Sequence, residues 1–153
     1  MDYSVEELAK VDFKHEIKVQ VRFNDLDIFG HVNNAIQFCY FDFGKSQYLA
    51  DINNAMTEWG DIVLVMVNVN TDYLHPIYLG DNITVRTKIY SIGTKSVKFQ
   101  QVIYDEDDKA IRSVCHSVMC AFSRSKKVSV PVPADWRKKI EDFEEGKKIS
   151  RSL

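Results

Sequence analysis

Cysteine is scarce in this chain: Cys39, Cys115 and Cys120 are odd in number, form no C-x-x-C pair and stand in apolar company. That pattern predicts buried, reduced thiols and supplies neither a disulfide framework nor a nucleophile. His15, His31, His75 and His116 have no i, i+4 partners and no cysteine companions, so no metal site is expected. The chain has no G-x-x-x-x-G-K-S/T loop and no G-x-S-x-G elbow, which removes the usual nucleotide hydrolases and serine esterases. Neither charge sign prevails, since 20 Lys+Arg face 22 Asp+Glu for a formal net charge of -2. Without a basic stripe interleaved with aromatics, nucleic acid and anionic membrane are not the expected partners, and a small molecule is. No run of about 18 apolar residues occurs. The opening Met1-Asp-Tyr-Ser-Val-Glu-Glu7 has no basic lead or apolar core of signal-peptide type, so a cytoplasmic location is expected. Internal repeats and low-complexity segments are also lacking.

What is present is 153 residues, 45% hydrophobic and 27% charged, enough for one domain over residues 1–153 with a core of its own. Residues 1–12 suggest a short helix or arm. From His15, alternation of Ile17, Val19, Val21 and Phe23 with Glu16, Lys18, Gln20 and Arg22 predicts a strand with one wet face. The polar stretch Asn24 to Asn34 then offers turn residues and capping oxygens. It feeds an apolar segment, Ala35 to Gly44, in which only Gln37 and Asp42 are strongly polar, continuing through Tyr48, Leu49 and Ile52. A helix apolar nearly all round must be wrapped. Gly44 fits if a strand backbone passes close by, and Asn53-Asn54 suits a left-handed end.

A short connection at Glu58 to Asp61 precedes the β-branched run Ile62 to Leu74, read as a long buried strand stopped by Pro76. Turns at Gly80-Asp-Asn82, Gly93-Thr-Lys95 and Asp105 to Lys109 separate three further strands, the last from Ala110 to Phe122. Beyond Pro131-Val-Pro133, Asp135 is expected to cap a charged terminal helix or tail covering about 134–153. The order strand, helix, four strands describes an α+β domain, an antiparallel sheet rolled about a central helix. Apolar residues on both faces of the last strand, Val114, Val118 and Phe122 against Ile111, Met119 and Ala121, predict edge-to-edge dimerisation with further association to a tetramer as an alternative.

The wrapped helix together with Asp25-Leu-Asp27-Ile-Phe-Gly30-His-Val-Asn-Asn34 resembles the hot-dog-fold acyl-CoA thioesterases of the 4-hydroxybenzoyl-CoA thioesterase type. The likeness runs from about Ile17 to Trp136 and takes in Tyr73-Leu-His-Pro76, Gly80-Asp81, Gly93-Thr-Lys-Ser96 and Pro131-Val-Pro133. Departures lie at Gln37, where an aromatic is frequent, at Gly44-Lys45 in place of Ala-Arg, and at Asp42 in place of Glu. They bear on substrate shape more than on chemistry. The resemblance implies a five-stranded antiparallel sheet about a central helix and hydrolysis of an acyl-CoA thioester, or of an acyl group on carrier protein, to the free acid. Asp27 is then a general base on water or a nucleophile, and the Asn34 backbone N–H polarises the carbonyl, as first-turn N–H groups are placed to do. His31 orients water, assists proton transfer or shapes the loop, and Gly30 belongs to the substrate-binding set.

The same resemblance places the active site between two chains, with Gly93, Thr94, Lys95 and Ser96 holding CoA. Lys95 with Arg124, Lys126 and Lys127 would meet its phosphates. Phe38, Phe41 and Met66 are candidate walls for the acyl chain, and no cofactor is implied. Each residue has a plainer alternative. Asp27 can be a turn aspartate bonding its own backbone, and the basic residues solvated surface. Asp25 is a competing carboxylate that reads more simply as a loop-holding or capping group. Asp42 is another, because similar hot-dog thioesterases carry the carboxylate on the central helix, although an ion pair with Lys45 or a bond to Ser46 explains it more plainly. A non-catalytic acyl-thioester binding module is the competing function. A hot-dog dehydratase, which needs a histidine paired with an acid, is a third.

Overall fold

The computed structural model describes residues 4–53 and 60–146. Ser4 caps a short helix, α1 (Val5–Ala9), through a reciprocal pair of bonds with Glu7. Strand β1 (His15–Val19) stops earlier than the alternation suggested. Asp25 accepts the Arg22 N–H and winds Phe23–Asp25 into a 3₁₀ turn, leaving Phe23 77% exposed. Helix α2 spans Asn34–Ile52 and is followed by β2 (Ile62–Tyr73), β3 (Ile83–Ile92), β4 (Ser96–Asp105), β5 (Ile111–Ser123), the two-residue β6 (Val128–Ser129) and α3 (Ala134–Glu144). Glu58 and Trp59 of the expected connection lie outside the described residues.

All pairings are antiparallel, in the order β1-β3-β4-β5-β2, with β6 added beside β5. Phe41, Val32, Ile83, Val85, Ile103 and Cys115 form the core at the amino end of α2. Tyr48, Leu49, Ile89, Val97 and Phe99 form it at the other end, closed by Trp136 and Ile140 of α3. Leu8 of α1 covers Val102, Ile111 and Val114 on the opposite face of the sheet.

Several expectations are corrected. The helix is covered on one side only: Gln37 and Lys45 are buried, whereas Phe38 and Phe43 are exposed. Cys39 shares the open side and is not buried, although Cys115 is. At Gly44 the nearest approach comes from strand side chains; a Cβ there would lie 2.6 Å from Val85 Cγ1 and 3.0 Å from Gln101 Nε2. Asn53 ends the helix extended, at φ -158° and ψ 108°, with its N–H on the Leu49 carbonyl, and Asn54 lies outside the described residues. Pro133 occupies the cap position of α3, and Asp135 sits within the first turn, where its charge suits the free N–H groups. Strand β5 is interior, flanked by β4 and β2, with Ile111, Val114 and Ala121 buried and Val118, Met119 and Phe122 half-buried. The sheet ends at β1 and at β2; β2, expected to be buried, is half-buried to exposed, with Met66, Val67 and Val69 exposed around a bulge.

Candidate functional site

The loop before α2 is a small closed structure. Leu26 pairs with Val32, the Asp27 N–H reaches the His31 carbonyl at 3.0 Å, and Gly30 turns the chain at φ +83° with its N–H on the Asp27 carbonyl. Glycine suits that left-handed position because it has no Cβ. Asp25 fixes this loop to the helix. It is 2% exposed, its carboxylate accepts the Tyr40 hydroxyl at 2.6 Å and the Arg22 N–H at 3.0 Å, and its carbonyl accepts the Asn33 N–H. Burial pushes its pKa up, but the Tyr40 and Arg22 hydrogen bonds and the Arg22 charge outweigh that and hold it below the ordinary carboxylate value.

At the start of α2 the Asn33 side chain accepts the Ala35 N–H at 2.8 Å, and the Asn33 carbonyl accepts those of Ile36 and Gln37. Among the described residues, the Asn34 N–H is the first-turn donor left without an acceptor. Its own carbonyl accepts the Tyr73 hydroxyl at 3.3 Å, which ties the end of β2 to the helix mouth. A cavity of about 260 Å³ opens there, walled by His31, Val32, Asn34, Gln37, Tyr73, Leu74, His75 and Pro76. His31 stands between aromatic rings, stacked at 6.2 Å on Phe29 and edge-on at 6.1 Å to Tyr78.

The structure thus brings Gly30, His31 and Asn34 to one loop and places His31 and Asn34 on the same cavity. Asp27 lies on that loop, half-buried, with one carboxylate oxygen accepting the Phe29 N–H at 2.9 Å, and it does not form part of the wall. Asp42, exposed on α2, pairs with buried Lys45 at 3.1 Å. Phe41 belongs to the core, while Phe38 and Met66 are exposed.

Gly93, Thr94, Lys95 and Ser96 are not brought to this mouth. They form the β3–β4 turn beside α3, where Arg137 donates to the Gly93 carbonyl and the Val132 N–H to that of Thr94. That turn lies toward the carboxyl end of α2, whose 19 residues span about 28 Å. Arg124, Lys126 and Lys127 are exposed at the β5–β6 turn, also remote from the mouth.

Two wall features escaped sequence reasoning. Ser113 of β5 donates to the Gln37 side-chain oxygen at 2.7 Å, a link between residues 76 apart that no local pattern discloses. Tyr73 bonds α2 from the far side of the cavity. The available signal was that Gln37 and Asp42 are the strongly polar residues of the segment from Ala35 to Gly44.

Comparison with known proteins agrees with this architecture. Long-chain acyl-CoA thioesterase FadM of Escherichia coli (strain K12) is 25% identical over 133 residues, covering 84% of this chain and 98% of that protein. The uncharacterized protein YsmA of Bacillus subtilis (strain 168) is 31% identical over 88 residues, a match spanning 58% of this chain and only 59% of YsmA. A thioesterase from Thermus thermophilus, crystallised with coenzyme A and Zn, superposes with a TM-score of 0.78 at 28% identity, covering 92% of this chain and 98% of that one. The family model of the thioesterase-like superfamily matches residues 21–140. With its curled antiparallel sheet laid on α2, the fold is a hot-dog fold, and the chain belongs to the thioesterase-like superfamily.

Proposed function

We infer that this protein hydrolyses an acyl-CoA thioester to the free acid and CoA. The observation that carries the reading is the Asn34 N–H, left without an acceptor at the amino end of a 19-residue helix and opening on a cavity. A thioester carbonyl oxygen seated there gains a hydrogen bond and the partial positive charge of the helix end. Both strengthen as the oxygen becomes an anion.

Asp27 takes a proton from water as the water oxygen attacks the carbonyl carbon. The tetrahedral intermediate then collapses, expelling CoA thiolate, which takes up a proton. In the alternative route the Asp27 carboxylate attacks directly, and water cleaves the resulting mixed anhydride. His31, across the loop hairpin from Asp27, orients the water. Gly30 gives the loop its turn beside the substrate.

The CoA end of the substrate calls for a second chain. Gly93, Thr94, Lys95 and Ser96 lie at the opposite end of α2 from Asn34, beyond reach of a thioester seated in the same chain. Pairing the bare β2 edges of two chains antiparallel reverses the second chain. Its β3–β4 turn then arrives at the Tyr73 end of the first, beside the Asn34 mouth. A homodimer built this way offers Lys95 to the CoA phosphates. Among the described residues no helix is long and apolar enough to cross a membrane.

The bond from the Phe29 N–H to Asp27 and that residue's absence from the cavity wall favour one rival, a non-catalytic acyl-thioester binding module. Asp27→Asn separates the two, because asparagine retains an oxygen for the Phe29 N–H and so keeps the turn. Thiol release should fall by about 10²–10⁴ in this variant, the usual worth of a positioned base. Unchanged turnover would remove Asp27 from the mechanism. A screen of short, long and aromatic acyl-CoAs supplies the substrate, and absence of thiol release from all of them would leave the binding module standing. Hydration of an enoyl thioester without thiol release would indicate dehydratase chemistry instead.

A further inference from the structure

Gln37 sits in the cavity wall one helical turn beyond Asn34 and on the same face of α2. It is 3% exposed, and Ser113, fully buried on β5, fixes its side-chain oxygen at 2.7 Å. The amide nitrogen has no acceptor among the described residues. Long side chains on a helix lean back toward its amino end, which carries this amide toward the point where the Asn34 N–H opens. Backbone positions one turn apart are separated by about 5.4 Å, and the lean shortens that distance. With the thioester oxygen on the Asn34 N–H, an acceptor that meets the Gln37 amide therefore lies within a few bonds of the thioester carbon.

A plain aliphatic acyl group filling this space would cover the Gln37 amide hydrogens and give them nothing to bond, a cost that an oxygen on the acyl group removes. The rest of the wall suits an oxygenated group, since His31, Tyr73 and His75 alternate with Val32, Leu74 and Pro76. Resting on the thioester-site reading above, we propose that Gln37 is a specificity-determining residue that selects acyl groups bearing an oxygen on the β-carbon over saturated groups of equal length.

The test compares kcat/KM for thiol release from a β-oxoacyl-CoA and from the saturated acyl-CoA of the same length. The wild-type protein should prefer the oxygenated substrate by about tenfold or more, and Gln37→Leu should bring the ratio close to one. Gln37→Glu keeps the oxygen that Ser113 binds and removes the donor, so it should turn the preference against the oxygenated substrate. Equal ratios in wild type and Gln37→Leu, or a uniform fall for both substrates in both variants, would overturn the proposal. If the wild type releases thiol from neither, the hydrolase reading fails and the selectivity is read from calorimetric affinities for the same two thioesters. A preference lost in Gln37→Leu upholds it, and equal wild-type affinities overturn it.

Discussion

The Tyr40 hydroxyl lies 2.6 Å from the buried Asp25 carboxylate, joining the second turn of α2 to the loop that precedes it. Together with the Arg22 N–H, it keeps Asp25 ionised more firmly in the folded chain than in the unfolded one. With the folded pKa lowered, the unfolded chain binds more protons as pH drops below about 4, and the stability that Asp25 supplies at neutral pH is lost there. Tyr40→Phe should cost about 1 kcal/mol at neutral pH, and less in acid. Denaturant titrations of both proteins across that range check this, and a pH-independent difference would contradict it.

Gly44 faces Val85 Cγ1, Gln101 Nε2 and Thr87 Oγ1 at 2.6, 3.0 and 3.2 Å from where a Cβ would stand. Alanine would gain about 1 kcal/mol of helix propensity but would overpack a site whose nearest neighbour is a stiff β-branched side chain. Overpacking costs about 1–3 kcal/mol, so Gly44→Ala should lower the melting temperature. A rise would mean that β3 yields freely.

If two β2 edges form the dimer, a charge on that edge should break it. Val67→Lys alters an exposed residue at the bulge and leaves the core of each chain intact. Light scattering should give about half the wild-type mass, with thiol release reduced at least tenfold because each mouth loses the second chain's turn. Full activity at monomer mass would show that one chain suffices.

Lys95 is exposed, and its proposed role is to meet CoA phosphate across the dimer. Lys95→Ala should raise KM for acyl-CoA about three- to tenfold with little change in kcat, an effect that shrinks at high salt. Cleavage of a truncated thioester without the nucleotide should be indifferent to the substitution. Equal effects on both substrates would take Lys95 out of CoA binding.

The thiols should differ in reactivity. Cys39 is exposed on the open side of α2, whereas burial pushes the Cys115 pKa up and hides it from reagents. A thiol-specific reagent added to the native protein should label Cys39 while Cys115 waits for unfolding. Peptide mapping checks the order, and simultaneous labelling would mean that the core opens readily.

Much of the fold was legible because its signals are local. Period-two alternation and the turn residues at Gly80, Gly93 and Asp105 gave the β3, β4 and β5 hairpins nearly to the residue. The capping oxygens of Asn24 to Asn34 and the apolar run after them marked the start of α2, and the loop from Asp25 to Asn34 stood out because amides and carboxylates gathered beside unpaired N–H groups; the structure makes Asn33 the cap.

Chain order alone therefore determined that a helix would enter from a polar loop and lie on an antiparallel sheet, since propensity, alternation and capping act over a few residues. Tertiary structure decided which strand is left at the edge, which side of α2 is covered, and that Gln37 and Lys45 go inside while Phe43 stays out. It also set the β3–β4 turn, proposed to hold CoA, at the far end of α2 from Asn34. Those outcomes depend on pairing between residues tens of positions apart, such as Ser113 with Gln37, and a buried polar group is stable only where such a distant partner meets it.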